Sequence, residues 1–380
     1  LKARPLLGKE GKLADEIETL LPPFDAREVK MLRKQLHVTF YEQTLGVSLI
    51  EEKPFPLVRA AHAGHAKDIQ DYNTKIRRNV KERYFKQFAP NAFAAIADLI
   101  GQDLPGHQNI KESIALHVFS TEPFHLLLLA DQGAHPHCLL RDAANIAPIS
   151  STAIGSPGAS HALVGEYKGD TFIKGIIPRG DGGLVCLGDI QLFREDARAT
   201  ILTAMDKGII PYNKQGKHAK INARINVLAT AAPRGDAFIG DDFRGLKKQI
   251  PFDHSFLFAF HLTFILRKPG TDAFAPAKEK KTGKNAFLKP EDVEFLKEYI
   301  AYASRIDVKF PSALQEDVID FLKMLKKTEQ KHLVELSPKT AQGLIVLAKA
   351  SARMELRNIV SDIDLLRVKN IVQQSLEWGS

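Results

Sequence analysis

Four short apolar runs, set far apart, constrain the fold of this chain more than any other feature: His125–Ala130, Gly183–Leu187, Ile225–Thr230 and Phe256–Ile265. Such runs suit strands buried on both faces. Helical patterns lie between them, Cys138–Ile146 after the Asp131-Gln-Gly133 turn and Glu195–Lys207 between the second and third runs. Strands alternating with helices predict an α/β domain with a largely parallel sheet. Two further helices, Asn91–Ile100 and Gln108–Phe119, precede the first strand. From Lys289 the pattern is helical throughout: Val293–Ser304, Ala313–Lys327, Pro338–Met354 and Ser361–Leu376. Ser337-Pro338 marks one helix start, a capping hydroxyl followed by a proline whose missing N–H has no intrahelical partner there.

Composition divides the rest. Residues 1–56 read as a reduced, mainly helical N-terminal region, with Leu13, Ile17, Leu20 and Leu21 at helix spacing before Pro22-Pro23. Ala26 to Leu36 is a second helix, His37–Ile50 fits strand or helix, and Lys53-Pro-Phe-Pro56 is a break. Residues 57–90 form a basic connector, partly helical over Asp68–Phe88. Residues 91–266 are the α/β core, 267–290 a loop, and 291–380 a helical region.

The 380 residues are 44% hydrophobic, enough for a sizeable core. No apolar stretch approaches the ~18 residues of a membrane span, and the start lacks the apolar segment of a secretory signal. Two cysteines without a CxxC exclude a disulfide scaffold and a zinc ribbon. The expected compartment is reducing and intracellular, cytoplasmic or nucleoid-associated. Cys138 and Cys186 are expected to be small buried residues, and Trp378 to pack on the last helix. His62 and His65 have metal-like spacing but no second pair, so no metal site is expected. The net charge is +8, and the segment Lys53–Lys86 holds nine basic and three acidic residues, a net of +6. That block is either an anionic-polymer site or a solvated connector helix.

A strand, a Gly-bearing turn, a helix and a second strand about 50 residues later suggest a P-loop ATPase fold. Six segments then resemble, in order, the minichromosome maintenance (MCM) helicases of the AAA+ class, archaeal type. Ile100-Gly-Gln-Asp-Leu-Pro-Gly-His107 with Ile110–Leu116 resembles the helix pair that opens the family's ATPase domain. Leu126–Gly133 with Leu139–Pro148 resembles its Walker A segment, Gly182–Leu187 its Walker B strand, and Asn222–Ala229 its sensor 1 strand. Tyr299–Ala303 and Gly343–Met354 resemble its helical lid. The resemblance spans roughly residues 68–376. It implies an AAA+ P-loop ATPase-like core with a helical lid, and a cofactor, ATP with Mg²⁺.

Every catalytic position departs from the family pattern. Gly133 remains in the P-loop, but Pro136 stands at the lysine position and His137 at the Ser/Thr position. Proline removes an ammonium and a backbone donor. A charge-assisted hydrogen bond is worth about 1.5–3 kcal/mol, so the lysine alone accounts for about 10–150-fold in affinity. His135 and His137 offer a compensating pair at low pH, or are exposed turn residues. The two Walker B acids become Gly188 and Asp189, and Asp189 alone suits a cap or turn as well as a base. The sensor 1 Asn falls on Ala232, the arginine finger on Asp253 and the sensor 2 Arg on Lys339. An arginine finger contributes about 10³–10⁵ in rate. The resemblance therefore implies a protein without ATPase activity, and no ATP or Mg²⁺ cofactor is expected.

Two insertions keep basic residues. Lys207–Lys220 matches the family's pre-sensor-1 hairpin, with Lys214 at its tip and Lys217 beside it. Gly165–Phe172 matches the helix-2 insert, with Lys168 at the turn and Lys174 following. These four lysines are the candidate DNA contacts, or else belong to ordinary polar hairpins. The expected protein is a monomer that binds DNA weakly without regard to sequence, or binds an intact MCM homologue. The alternative is an ATP-dependent DNA helicase whose site is completed by a neighbouring subunit.

Overall fold

Burial on both faces turns most of the apolar runs into strands, and capping decides the rest. The computed structural model describes residues 38–42, 48–52, 81–156, 160–214, 216–235, 237–240, 243–268, 290–329, 332 and 335–376. They divide into two units, residues 1–91 and 92–380. The expected helices at 13–21 and 26–36, the basic block before Lys81, His62, His65, the loop at 269–289 and Trp378 lie outside the described residues.

In the first unit, β1 (Val38–Glu42) and β2 (Ser48–Glu52) pair antiparallel, with Phe40 opposite Ile50. The described parts of the segment that fitted strand or helix are therefore strand, as their β-branched and aromatic residues favour. Residues 81–88 are helical.

The second unit opens with α1 (Ala92–Leu99) and α2 (Gln108–Val118). The alternation follows: β3 (His125–Ala130), α3 (His137–Ile146), β4 (Ser150–Ile154), α4 (Ser160–Val164), β5 (Gly165–Lys168), β6 (Thr171–Lys174) and α5 (Ile176–Arg179). Then come β7 (Leu184–Gly188), α6 (Glu195–Lys207), β8 (Ile209–Lys214), β9 (Lys217–Asn222) and β10 (Asn226–Ala231). Last are α7 (Phe243–Gln249), α8 (His254–Leu257) and β11 (Leu262–Leu266). The central sheet runs β11-β3-β10-β7-β4, parallel throughout. Leu127, Leu129, Val185, Leu187, Val227 and Ala229 are fully buried along it, packed with Ile201 and Phe193.

Two features depart from expectation. The run Phe256–Ile265 is strand only in its second half. Its first residues belong to α8, because the Asp253 carboxylate accepts the Phe256 N–H at 2.9 Å and caps a helical turn there. A continuous apolar run does not distinguish helix from strand. The edge strand β4 was not foreseen: Ser150-Ser-Thr is polar, and most of its positions are exposed.

The lid consists of α9 (Pro290–Ala303), α10 (Ala313–Lys327), α11 (Pro338–Met354) and α12 (Asp362–Leu376). Ser337 and Thr340 form a reciprocal capping box at the start of α11. Asp364 is fully buried, and its carboxylate receives both ends of the Arg357 guanidinium at 2.7 Å. Burial disfavours that charge, yet the bonds from Arg357, Ser361 and Ser351 hold its pKa below the ordinary value. Arg353 reaches from α11 to the Phe119 carbonyl at 2.9 Å. A Cβ on Gly343 would come within 3.0 Å of His261 and 3.1 Å of Phe124, so α11 lies directly on the sheet end.

That junction holds three buried histidines. The His125 N–H donates to His261 Nδ1 at 3.0 Å, and His125 Nδ1 accepts from the Val227 N–H at 3.3 Å. His125 Nε2 donates to the Met205 carbonyl at 3.2 Å, and His117 Nε2 donates to the Phe124 carbonyl at 3.0 Å. His125 and His117 thus carry their ring protons on Nε2, and His261 leaves Nδ1 as an acceptor.

Candidate functional site

In open parallel sheets, ligands meet the carboxyl ends of the strands, and here the ends of β3, β7 and β10 carry the matched positions. The chain leaves β3 at Asp131, whose carboxylate accepts the Phe238 N–H at 2.8 Å and the Lys268 N–H at 3.1 Å. It thereby ties the loops after β10 and β11 to the end of β3. Gly133 has φ +86°, and His135 also has a left-handed φ of 52°. Two amides of the loop are used internally, Ala134 N–H to the Asp131 carbonyl at 3.0 Å and Cys138 N–H to the His135 carbonyl at 3.3 Å. Pro136 caps α3 with φ −64°, a conformation its ring prefers, so the helix starts despite the missing N–H. The stem of Lys268 runs beside Gly133, where a Cβ would meet its Cδ and Cε at 3.9 Å.

β7 ends at Gly188, followed by Asp189 with φ 48° and ψ 49°. That left-handed conformation is one that Asp tolerates better than most residues. The Asp189 N–H donates to Thr230 Oγ1 on β10 at 3.1 Å. Gly155 donates to the Gly188 carbonyl at 2.7 Å, and a Cβ on Gly155 would lie 2.1 Å from the Asp189 carbonyl oxygen. Across this strand end comes His137 from α3. Its Nε2 stands 3.4 Å from the Asp189 carboxylate, with the two side chains 51% and 29% exposed. A Cβ on Gly188 would lie 3.1 Å from the His137 Cε1 and 3.2 Å from its Nδ1. The ring therefore covers the bare face of Gly188. Ala232, one residue beyond β10, is half-buried.

Asp253 and Lys339 sit elsewhere. Asp253 accepts from the Phe256 N–H and from the Ser255 hydroxyl at 3.0 Å, which holds its carboxyl below the usual range. The Lys339 ammonium stands 3.4 Å from Asp206 and lines an open cleft of about 390 Å³ with Lys207, Ser255 and Phe258. Cys186 is buried as expected, and Cys138 only half-buried, its Sγ donating to the His135 carbonyl at 3.1 Å.

The two hairpins pack on each other. Tyr167 and Phe172 of β5 and β6 meet Tyr212 of β8, with ring centroids 5.1–5.7 Å apart. Lys168, Lys174 and Lys214 are exposed. Lys217 is different: it pairs with Asp170 at 3.0 Å, donates to the Gly169 carbonyl and lies 4.7 Å from the centre of the Tyr167 ring. Its charge is turned toward the neighbouring hairpin, a contact between segments about 50 residues apart that no local pattern reveals. Thr230, Asp131 and Lys268 were likewise not singled out by sequence. A lone Thr in a buried strand and a carboxylate at a strand end carry no spacing signal.

Among the described residues no helix is long and apolar enough to cross a membrane, and no group of three or more His, Cys, Asp or Glu side chains converges as for a metal ion.

A five-stranded parallel sheet, a Gly-bearing turn from the interior strand β3 into a helix, and a four-helix lid define an AAA+-like P-loop protein. The chain belongs to the MCM family: the MCM P-loop domain matches residues 81–273 and the MCM AAA-lid domain residues 294–376. It is 28% identical over 310 residues to the minichromosome maintenance protein MCM of Saccharolobus solfataricus, covering 74% of this chain and 44% of that protein. It is 24% identical over 320 residues to DNA replication licensing factor MCM5 of Oryza sativa subsp. indica, covering 74% and 44%. It is 22% identical over 345 residues to DNA replication licensing factor mcm4-B of Xenopus laevis, covering 82% and 39%. The chain spans less than half the length of these relatives.

Proposed function

We propose that this chain is a non-catalytic member of the MCM family, a DNA- or partner-binding paralogue that neither hydrolyses ATP nor retains it with Mg²⁺. One observation carries the reading: the His137 ring lies between the start of α3 and Asp189, next to Pro136. In P-loop NTPases the first-turn Ser/Thr and the acid at the Walker B strand hold Mg²⁺, and the lysine before that Ser/Thr cradles the β- and γ-phosphates. Here the hydroxyl is an imidazole, the first acid is Gly188, and Pro136 supplies no ammonium. The Mg²⁺ complex of ATP does not fit these residues. Asp253, committed to capping α8, offers no cation in place of an arginine finger.

The exposed Lys168, Lys174 and Lys214 support a weak, phosphate-directed affinity for DNA, blind to sequence. Lys217, engaged with Asp170, contributes less than its position suggests. A catalytically intact MCM homologue is the alternative partner, and the chain alone is a monomer.

The test is calorimetric titration of the protein with Mg²⁺-ATP beside DNA-binding curves at several salt concentrations. The expected results are no saturable heat up to ~1 mM nucleotide and a DNA affinity that falls with salt equally for unrelated sequences. Turnover of Mg²⁺-ATP at a rate comparable to an intact family member would sink the proposal. A second reading, a divergent DNA helicase completed by a neighbouring subunit, has one observation in its favour: Lys268 runs beside Gly133, where it can bring an ammonium to the loop. That reading requires ATP hydrolysis that is lost in Lys268→Ala and a stable oligomer by light scattering.

A further inference from the structure

The departures at positions 137, 188 and 189 meet in space, although they lie on two separate segments. The His137 ring occupies the surface that a side chain at 188 would need, with Cε1 and Nδ1 only 3.1 and 3.2 Å from where its Cβ would sit. Nε2 of the same ring points at the Asp189 carboxylate at 3.4 Å. A Cβ at 188 would press on the ring and force it to give way by a few tenths of an ångström, and a smaller residue at 137 would leave Asp189 without this partner.

We infer that the imidazole of His137 takes the seat of the divalent cation, and that Gly188 is the clearance it requires. The inference rests on the non-catalytic reading above and gives it a mechanism. A metal ion at this edge would join the first turn of α3 to the acid after β7. The imidazole makes that connection itself, from α3 to Asp189, with no ion. Both side chains are partly exposed, so the pair adds little stability; its consequence is steric and chemical. The site is closed to metal by one ring, independently of the lysine missing at 136. Restoring that lysine alone returns phosphate affinity without metal dependence. Removing the ring as well frees Asp189 and the first turn for the ion. His137, Gly188 and Asp189 thus act as a set, and His137 is the residue that decides whether metal enters.

The test begins with the native protein. In a spectrum assigned for Gly188 and His137, a strong cross-relaxation peak is expected between the Gly188 Hα and the His137 Hε1 protons, and its absence overturns the inference. The variants Pro136→Lys and Pro136→Lys with His137→Ser are then titrated with ADP, in Mg²⁺ and in EDTA. The single variant should bind ADP equally in both. The double variant should bind about tenfold or more tightly in Mg²⁺. A tenfold Mg²⁺ effect in Pro136→Lys, with His137 in place, overturns the inference, as does equal binding by the double variant in both media.

If neither variant binds ADP, a folding cycle decides. Gly188→Ala should raise the unfolding constant about three- to tenfold in the presence of His137 and leave it unchanged beside His137→Ser. Additive effects overturn the inference. Failure of the parent reading looks different: wild type that binds ATP equally with and without Mg²⁺ removes that reading and leaves the role of His137 standing. Wild type that binds no nucleotide, together with additive folding effects, does the reverse.

Discussion

Lowering the pH from 8 to 5 should strip several kcal/mol of stability from this protein, and the cause is the histidine group under the lid. Burial pushes His117 down to about 4, and burial with the nearby Lys339 ammonium pushes His261 down to about 3. Burial, with His261 beside it, holds His125 well below its ordinary value. In the unfolded chain each titrates near 6.5. Between those limits the unfolded state takes up protons that the folded state refuses, so stability is complete above about pH 7 and falls as pH drops. At pH 5 a histidine with a folded pKa of about 4 or lower forfeits about 2 kcal/mol. His117 and His261 together reach about 4 kcal/mol, a large share of the 5–15 kcal/mol typical of a domain, and His125 acts in the same direction. Asp364, held below its ordinary carboxylate value, stays ionised throughout this window and does not contribute. The assay is urea unfolding followed by circular dichroism at fixed ionic strength, in half-unit steps from pH 8 to 5. His117→Gln keeps a donor for the Phe124 carbonyl and should remove about 2 kcal/mol of the pH dependence. A stability that stays within ~1 kcal/mol across the range would show that these rings are solvated or shed their bonds in the folded state, and would refute the argument.

Three further outcomes are expected. Gly155→Ala forces a Cβ into the Asp189 carbonyl and should destabilise by about 2 kcal/mol or more in denaturant titrations, with no compensating gain. Asp364→Asn leaves the Arg357 guanidinium with a neutral partner in a buried pocket and should cost about 3 kcal/mol at pH 7. Because the Asp364 pKa is depressed by folding, that difference should shrink as pH falls below about 4. If DNA is bound through the hairpins, Lys214→Ala should flatten the slope of log affinity against log salt by about 0.7–0.9, and Lys217→Ala by clearly less. Equal slopes for the two variants would place the Asp170 pair open in solution.

Much of the fold was legible because its signals are local. Ala313–Lys327 and Pro338–Met354 end where the sequence says they should, since the stop and start residues act within one turn. The buried strands β3, β7 and β10 were visible as apolar runs bounded by polar turns. β4 was not, because an edge strand needs no apolar face and Ser150-Ser-Thr reads as a loop. The half-strand at Phe256 was misread because a single carboxylate, Asp253, outweighs the apolar pattern around it. At the candidate site, sequence spacing could say which residues stand at positions 136, 137 and 188, but not that His137 would lie across Gly188. That contact depends on how α3 and β7 are juxtaposed through the sheet. The same holds for Lys217, whose partner lies on a different hairpin.

The strand order also sets a timetable for synthesis. β3 is made first among the strands of the central sheet, yet its two neighbours are β10 and β11. Its last residue, Ala130, precedes Leu266, the end of β11, by 136 positions (266 minus 130). At about 5–20 residues per second, a ribosome needs roughly 7–27 s to deliver that partner. Leu126–Leu129, all fully buried in the finished protein, have no neighbouring strand until β10 is made, and one edge of β3 stays open until β11 follows. Pairing across such separations is slow even in the complete chain. The interval before residue 266 emerges is therefore when this protein depends most on chaperones, and nascent chains released before that point should aggregate through the β3 segment.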